Sequence, residues 1–271
     1  MNSVRPKFDR PPLIEQAITV VFEELEGFSI GDFGLFWDRI GNEFSTSEAQ
    51  QSLDSKIETF EGFQPQQFQF RLVPHSSLPR CFYRHVDGRE IIQLQSDRFT
   101  FNWIQVDGNT YPHADVTVAR FRELFATFKT FVADRGLGEI IVRQCEIVNV
   151  NVVPVTDFGK SFSDAGRAFV VPAAEMQLDF LPVESYIVNT QHLMLDGGRP
   201  IGRLYSVLAP VLRTGDDQHA YRLELTARGA PIENVGDGVS DFFDRARTAL
   251  NAAFLAATTK WAHEFWGVKN G

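Results

Sequence analysis

The stretch Cys81–Pro112, CFYRHVDGREIIQLQSDRFTFNWIQVDGNTYP, decides how the rest of the chain is read. Asp87-Gly88 lies between two alternating apolar runs, the strongest short-range signal for a β-hairpin, and it predicts positive φ at both central positions of a two-residue loop. That loop sets Val86 opposite Arg89, His85 opposite Glu90, Tyr83 opposite Ile92 and Cys81 opposite Leu94. A second turn at Ser96-Asp97 brings Leu94 to Phe99 and Ile92 to Phe101. One face of this three-stranded meander is then Cys81, Tyr83, Ile92, Leu94, Phe99 and Phe101. The other is Gln93, Gln95, Arg98, Thr100 and Asn102, because side chains alternate along a strand.

Working outward, Ile14–Glu23 alternates and is rich in β-branched residues, which predicts a strand whose second face is only half polar. Ile30–Phe44 carries Phe33, Phe36, Trp37, Ile40 and Phe44 at helical spacing. Val116–Arg135 does the same more strongly, with Val118, Phe121, Phe125, Phe128 and Val132 in one stripe that Gly136 and Gly138 end. Ser45–Phe63 reads as a short helix or ordered loop, Phe68–Leu72 as a strand, and Asp107-Gly108 as a further turn. Cys145–Val155 is a strand with Val148, Val150 and Val152 on one side and Asn149 and Asn151 on the other.

Residues 156–168 are rich in Gly, Ser and Asp and read as a linker, dividing the chain into 13–155 and 169–271 behind a loose basic lead-in, 1–12, with one continuous domain as the alternative. The second half repeats the order of the first. Glu184–Leu195, Gly202–Leu212 and Ala220–Arg228 are strands, and a final helix starting at Ser240 presents Phe243, Ala246, Leu250, Phe254, Ala257, Trp261 and Phe265. The expected class is α+β, with antiparallel sheets each covered by a long helix. The two halves align as copies only by the order of their elements, without shared residues.

Among 271 residues there are 25 Phe against 5 Tyr, which points to a phenylalanine-rich core. A formal charge of −9 argues against sequence-independent binding to nucleic acid, which needs clustered cations. Cys81 and Cys145 lie inside strands, outside any metal-binding or redox spacing, and read as buried thiols. The six histidines are scattered, so neither a metal nor a cofactor is expected. Gly159-Lys160-Ser161 is no phosphate loop, since the required glycine five residues earlier is Pro154. Without an apolar leader or a membrane-length run, the expected location is the cytoplasm.

PPLIEQAITVVFE, LPRCFYRHVDGREIIQLQSDRFTFNWIQ, YPHADVTVARFRELFATF, QCEIVNVNVVPV and AFLAATTKWAHEFWG, in that order, resemble a sporadically distributed, mostly uncharacterised prokaryotic protein family of similar length. The resemblance implies a full-length member and, from the patchy distribution, a link to mobile or defence genes. It implies no activity and no catalytic residues.

No catalytic constellation stands out. The sequence therefore points to a non-catalytic module that binds a small ligand or a protein through the polar face of the meander or a helix–sheet groove. Gln93, Gln95, Arg98 and Asn102 are its candidate binding residues, with Arg203, Arg222 and Arg228 as an added positive patch. A hydrolase or transferase acting on a nucleotide or nucleic acid is the alternative. A self-associating subunit is the third reading.

Overall fold

The structure, a computed structural model, describes residues 7–55, 57–60, 78–106, 111–171, 180–181, 183–213, 216–232 and 237–269. The strand expected at Phe68–Leu72 and the turn at Asp107-Gly108 lie outside these residues. In chain order the elements are β1 (Lys7–Phe8), β2 (Leu13–Phe22), α1 (Ile30–Ile40), β3 (Phe44–Gln50), β4 (Arg80–His85), β5 (Glu90–Gln95), β6 (Arg98–Ile104), α2 (Ala114–Arg135) and β7 (Val142–Pro154). There follow α3 (Val155–Phe158), α4 (Phe162–Gly166), β8 (Val188–Asp196), β9 (Arg199–Leu212), β10 (His219–Gly229), α5 (Gly238–Ala257), α6 (Lys260–Phe265) and β11 (Val268–Lys269).

The meander folds in the register its sequence predicts: Cys81 pairs with Leu94, Tyr83 with Ile92, Ile92 with Phe101 and Leu94 with Phe99. Its first turn differs in detail. Only Gly88 takes positive φ, at 74°, while the Asp87 carboxylate accepts the Arg89 N–H at 2.9 Å and the Gly88 N–H donates to the His85 carbonyl. His85 and Glu90 do not pair. The His85 ring meets Asp87 at 2.8 Å, and Glu90 is held by Arg120 of α2 at 3.0 Å.

The sheets of the two halves join: nine of the eleven described strands form one antiparallel sheet, ordered β3-β4-β5-β6-β2-β7-β10-β9-β8, and β1 and β11 pair as a separate two-stranded sheet. The joint is β7, which pairs with β2 on one side and β10 on the other. Residues 156–168 hold two short helices and do not interrupt this sheet. β2 is buried or half-buried along its whole length, and a strand covered on both faces carries apolar residues on both, which is why its second face is only half polar.

The apolar face carries a core of aromatic rings. Phe128 of α2 lies 5.4 Å from both Phe36 of α1 and Phe99 of β6, edge-on to the first and stacked on the second. Phe121 of α2 meets Phe243 of α5 edge-on at 5.3 Å, so the two long helices touch over the sheet. Helix α5 reaches the sheet through Phe242. This ring rests where Gly202 and Gly229 face each other on β9 and β10, and a Cβ at Gly229 would run into it and into the Ile201 carbonyl oxygen.

Further expectations are corrected. The helix expected over Ile30–Phe44 ends at Ile40, and Phe44–Gln50, whose residues from Ser45 were read as helix or loop, is a polar edge strand paired with β4 (Ser47 to Tyr83); an exposed edge needs no apolar alternation to be held by its ladder. The described part of the lead-in, 7–12, is held in place: Lys7–Phe8 pairs with Val268–Lys269 and Arg10 donates to the Phe265 carbonyl at 2.9 Å. The last helix is capped by Asp237, which accepts the Ser240 N–H at 3.1 Å, one turn before the expected start at that serine. It also breaks at Thr258, where an isolated bridge to Phe169 takes the backbone and Thr259 caps α6.

Candidate functional site

Where α2 and α5 diverge, a cavity of about 290 Å³ opens on the helix-facing side of the sheet. Its floor is Leu13 and Gln16 of β2, Asn149 and Asn151 of β7 and Leu225 of β10. Asp115 and Val116 of α2 form one wall, with Arg247, Leu250, Asn251 and Phe254 of α5 opposite. Lys7, Phe8 and Pro11 close one end, and Tyr111, Pro112 and His113 the other.

The floor is unusual in being amide-lined. Gln16 and Asn149 are partners across the β2–β7 ladder, in a face whose neighbouring positions are Ile18, Ile147, Trp103 and Leu225. The Gln16 amide nitrogen donates to Asn149 Oδ1 at 2.8 Å. Its Oε1 accepts the Thr117 hydroxyl, so the start of α2 is tied to the floor. The Asn151 amide donates to the Leu223 carbonyl at 3.1 Å. The sequence reading placed Asn149 and Asn151 on the side opposite Val148, Val150 and Val152; the structure turns that side toward the helices, among apolar neighbours.

Tyr111 packs edge-on to Trp103 at 5.0 Å. Burial pushes its hydroxyl up to about 12, against the pull of hydrogen bonds with Thr117 and Gln16 and of the Arg247 charge, so it stays protonated at neutral pH. Arg247, only 6% exposed, sends one terminal nitrogen to Asp115 and the other to Asp244 at 3.1 Å, while its Nε is buried without a hydrogen-bond partner. His113 joins Tyr111 to α2 with φ 72°, a left-handed conformation that a non-glycine residue adopts only when its surroundings impose it.

The residues singled out by sequence lie on the opposite face, where they fall into two hydrogen-bonded groups, Gln93 with Asn102 and Gln95 and Arg98 each with the segment that crosses them. Arg80 donates to Gln93 Oε1 at 3.1 Å, Gln93 to Asn102 Oδ1 at 2.7 Å, and Asn102 to Glu15 at 2.6 Å. Although polar, the face is largely buried: Gln95 is 5% and Asn102 3% exposed. A strap made of residues 51–55 and 57–60 crosses it. Gln95 accepts the Leu53 N–H at 2.8 Å and donates to the Leu53 carbonyl at 3.1 Å, and Arg98 donates to the Asp54 carbonyl at 3.2 Å.

Further along the strap, the Glu58 carboxylate is taken by Arg203 and by the Tyr205 hydroxyl, the latter at 2.7 Å, and its N–H donates to Gln144 Oε1 at 2.7 Å. Arg228 is paired with Glu146 and Arg222 with Glu224. The three arginines expected to form a positive patch are thus each matched by a carboxylate.

Burial raises the thiols of Cys81 and Cys145 above their ordinary value and keeps both protonated. Among the described residues no group of three His, Cys, Asp or Glu side chains is placed to hold a metal ion, and no helix is long and apolar enough to cross a membrane.

Sequence reasoning missed Gln16, Tyr111, Asn149 and Arg247. The signal was present in the amides interrupting LIEQAITVVF and NVNVV, but alternation in a strand buried on both sides does not tell which face is which.

Comparison with family models finds no match for this chain, and comparisons with curated proteins and with solved structures find none either.

Proposed function

We propose that the chain is a non-catalytic ligand-binding module whose site is the cavity between α2, α5 and the sheet. The observation that carries this reading is a cavity of drug-like size whose apolar walls converge on a few oriented amides, the usual make-up of small-molecule sites. The one buried cation of the site, Arg247, is already matched by Asp115 and Asp244. A charged ligand head would enter without a free counter-charge, at a cost of several kcal/mol, on the order of that for burying an unpaired ion. The geometry therefore favours an uncharged ligand with an apolar body and a head that both donates and accepts hydrogen bonds. The family resemblance adds a prokaryotic, defence-linked setting to this proposal.

The test compares small molecules extracted from the purified chain with those from Asn251→Trp, which places an indole in the cavity. Mass spectrometry should find a stoichiometric organic molecule in the first and lose it in the second. Equal recovery from both, or none from the original chain, refutes the reading.

A further inference from the structure

The face of the sheet opposite the cavity carries several arginines, and most are matched by a carboxylate: Arg203 by Glu58, Arg222 by Glu224, Arg228 by Glu146. Arg80 and Arg98 differ. Among the described residues neither makes an ion pair; Arg80 donates to Gln93, and Arg98 donates to the Asp54 carbonyl and, at 3.3 Å, to the Ser55 hydroxyl. The Nε of each is buried without a hydrogen-bond partner.

The two are neighbours by register. Arg98 pairs with Gln95, and Arg80 precedes Cys81, whose partner is Leu94, so the arginines flank Gln95 from either side. Two strand spacings separate their backbones by roughly 9–10 Å, a gap that two long side chains reach across. Both guanidiniums are held in place, Arg80 with its Cζ 4.8 Å from the Phe82 ring centroid and Arg98 by the strap. Burial, and then the Arg98 charge, hold Arg80 below the ordinary guanidinium value, which independently marks the two charges as close; the carboxylates Asp97, Glu146 and Asp54 offset only part of the effect of burial on Arg98, whose value is also lowered.

Buried donors without partners are rare in folded chains, and each calls for an explanation such as a bound ion. Two adjacent guanidiniums with unspent donors suit one ligand chemistry above others, since planar N–H forks match the oxygens of a phosphate group. We propose that Arg80 and Arg98 form a binding site for a phosphate-type oxyanion, supplied as the free ion or as the phosphate ester of a larger molecule. The site is separate from the cavity and does not depend on it.

Isothermal titration of the full chain with inorganic phosphate, ionic strength held constant with chloride, tests the assignment, and a parallel titration uses glycerol phosphate. Saturable binding of either probe is expected, weakened at least tenfold in Arg80→Gln and in Arg80→Lys, which keeps the charge but loses the fork. Arg199→Gln, which removes an exposed cation elsewhere, should leave it unchanged. Binding of phosphate alone identifies the free ion as ligand; tighter binding of glycerol phosphate identifies an ester. The proposal is overturned by an original chain that binds neither probe, or by equal weakening in the Arg80 and Arg199 variants.

Discussion

Gln16 and Asn149 meet across the β2–β7 ladder on the helix-facing side of the sheet, the amide of one donating to the carbonyl oxygen of the other at 2.8 Å in otherwise apolar company. Removing one partner strands the other. Asn149→Leu should destabilise the fold by about 1–3 kcal/mol, the cost of leaving a buried polar group unpaired. The double variant Gln16→Leu/Asn149→Leu should lose less than the sum of the single losses, because the two share one interaction. Urea denaturation of the four proteins of this cycle checks it; strict additivity would deny the coupling.

Asp32, buried at the start of α1, gives a pH dependence. Burial raises its carboxyl, but hydrogen bonds from the Ser29 hydroxyl and amide and from Arg135 outweigh this, and the net value lies below the ordinary 3.8. A carboxylate whose folded value is depressed adds stability above its unfolded value and loses it as pH falls through the folded one. Asp32→Asn should therefore cost about 2 kcal/mol at pH 7, from charge-assisted hydrogen bonds, and progressively less below pH ~4. A gap that stayed constant from pH 7 to pH 3 would contradict the assignment.

The strap exposes its own aliphatic side chains, Leu53 at 43% and Ile57 at 49%, and is tied down by polar contacts. Its amides should open without global unfolding. In Arg203→Gln, hydrogen exchange at the Leu53 and Glu58 amides should quicken about 10-fold or more, from the loss of a charge-assisted bond, while β10 amides keep their protection. Equal acceleration in both places would mean that the strap is part of the global fold.

The Gly202 and Gly229 notch predicts a steric effect. Gly229→Ala pushes a methyl group against Phe242 and the Ile201 carbonyl oxygen, and overpacking of this kind costs about 1–3 kcal/mol. Pairing it with Phe242→Leu should recover part of that loss. Thermal melts of the single and double variants read it out.

The meander, β2, α2 and β10 were legible because each pairs a strong local period with a punctuating turn or glycine, as with Gly88 and Gly136. What escaped the sequence depends on contacts between distant segments. Phe44–Gln50 is a strand because β4 lies beside it; its own residues, FSTSEAQ, carry no period. The break at Thr258 follows from Phe169, almost ninety residues away. Gln93, Gln95, Arg98 and Asn102 were placed on the correct strands and face, yet the burial of that face depends on a strap whose own sequence announces no such role. The sequence leaves open whether the two halves share one sheet, because nothing local in β7 says that it will have two neighbours.

The clasp between Lys7–Phe8 and Val268–Lys269 has a consequence in time. Lys7 and Phe8 wall the cavity, and they are held there by residues translated more than 250 positions later. While the chain is still emerging from the ribosome, the core around Phe128 can assemble, but the end of the cavity stays open. That end is completed only after synthesis has passed Lys269, so a chain that stalls short of that point would be folded through most of the sheet with the cavity still open, and a ligand of the kind proposed above would not be retained.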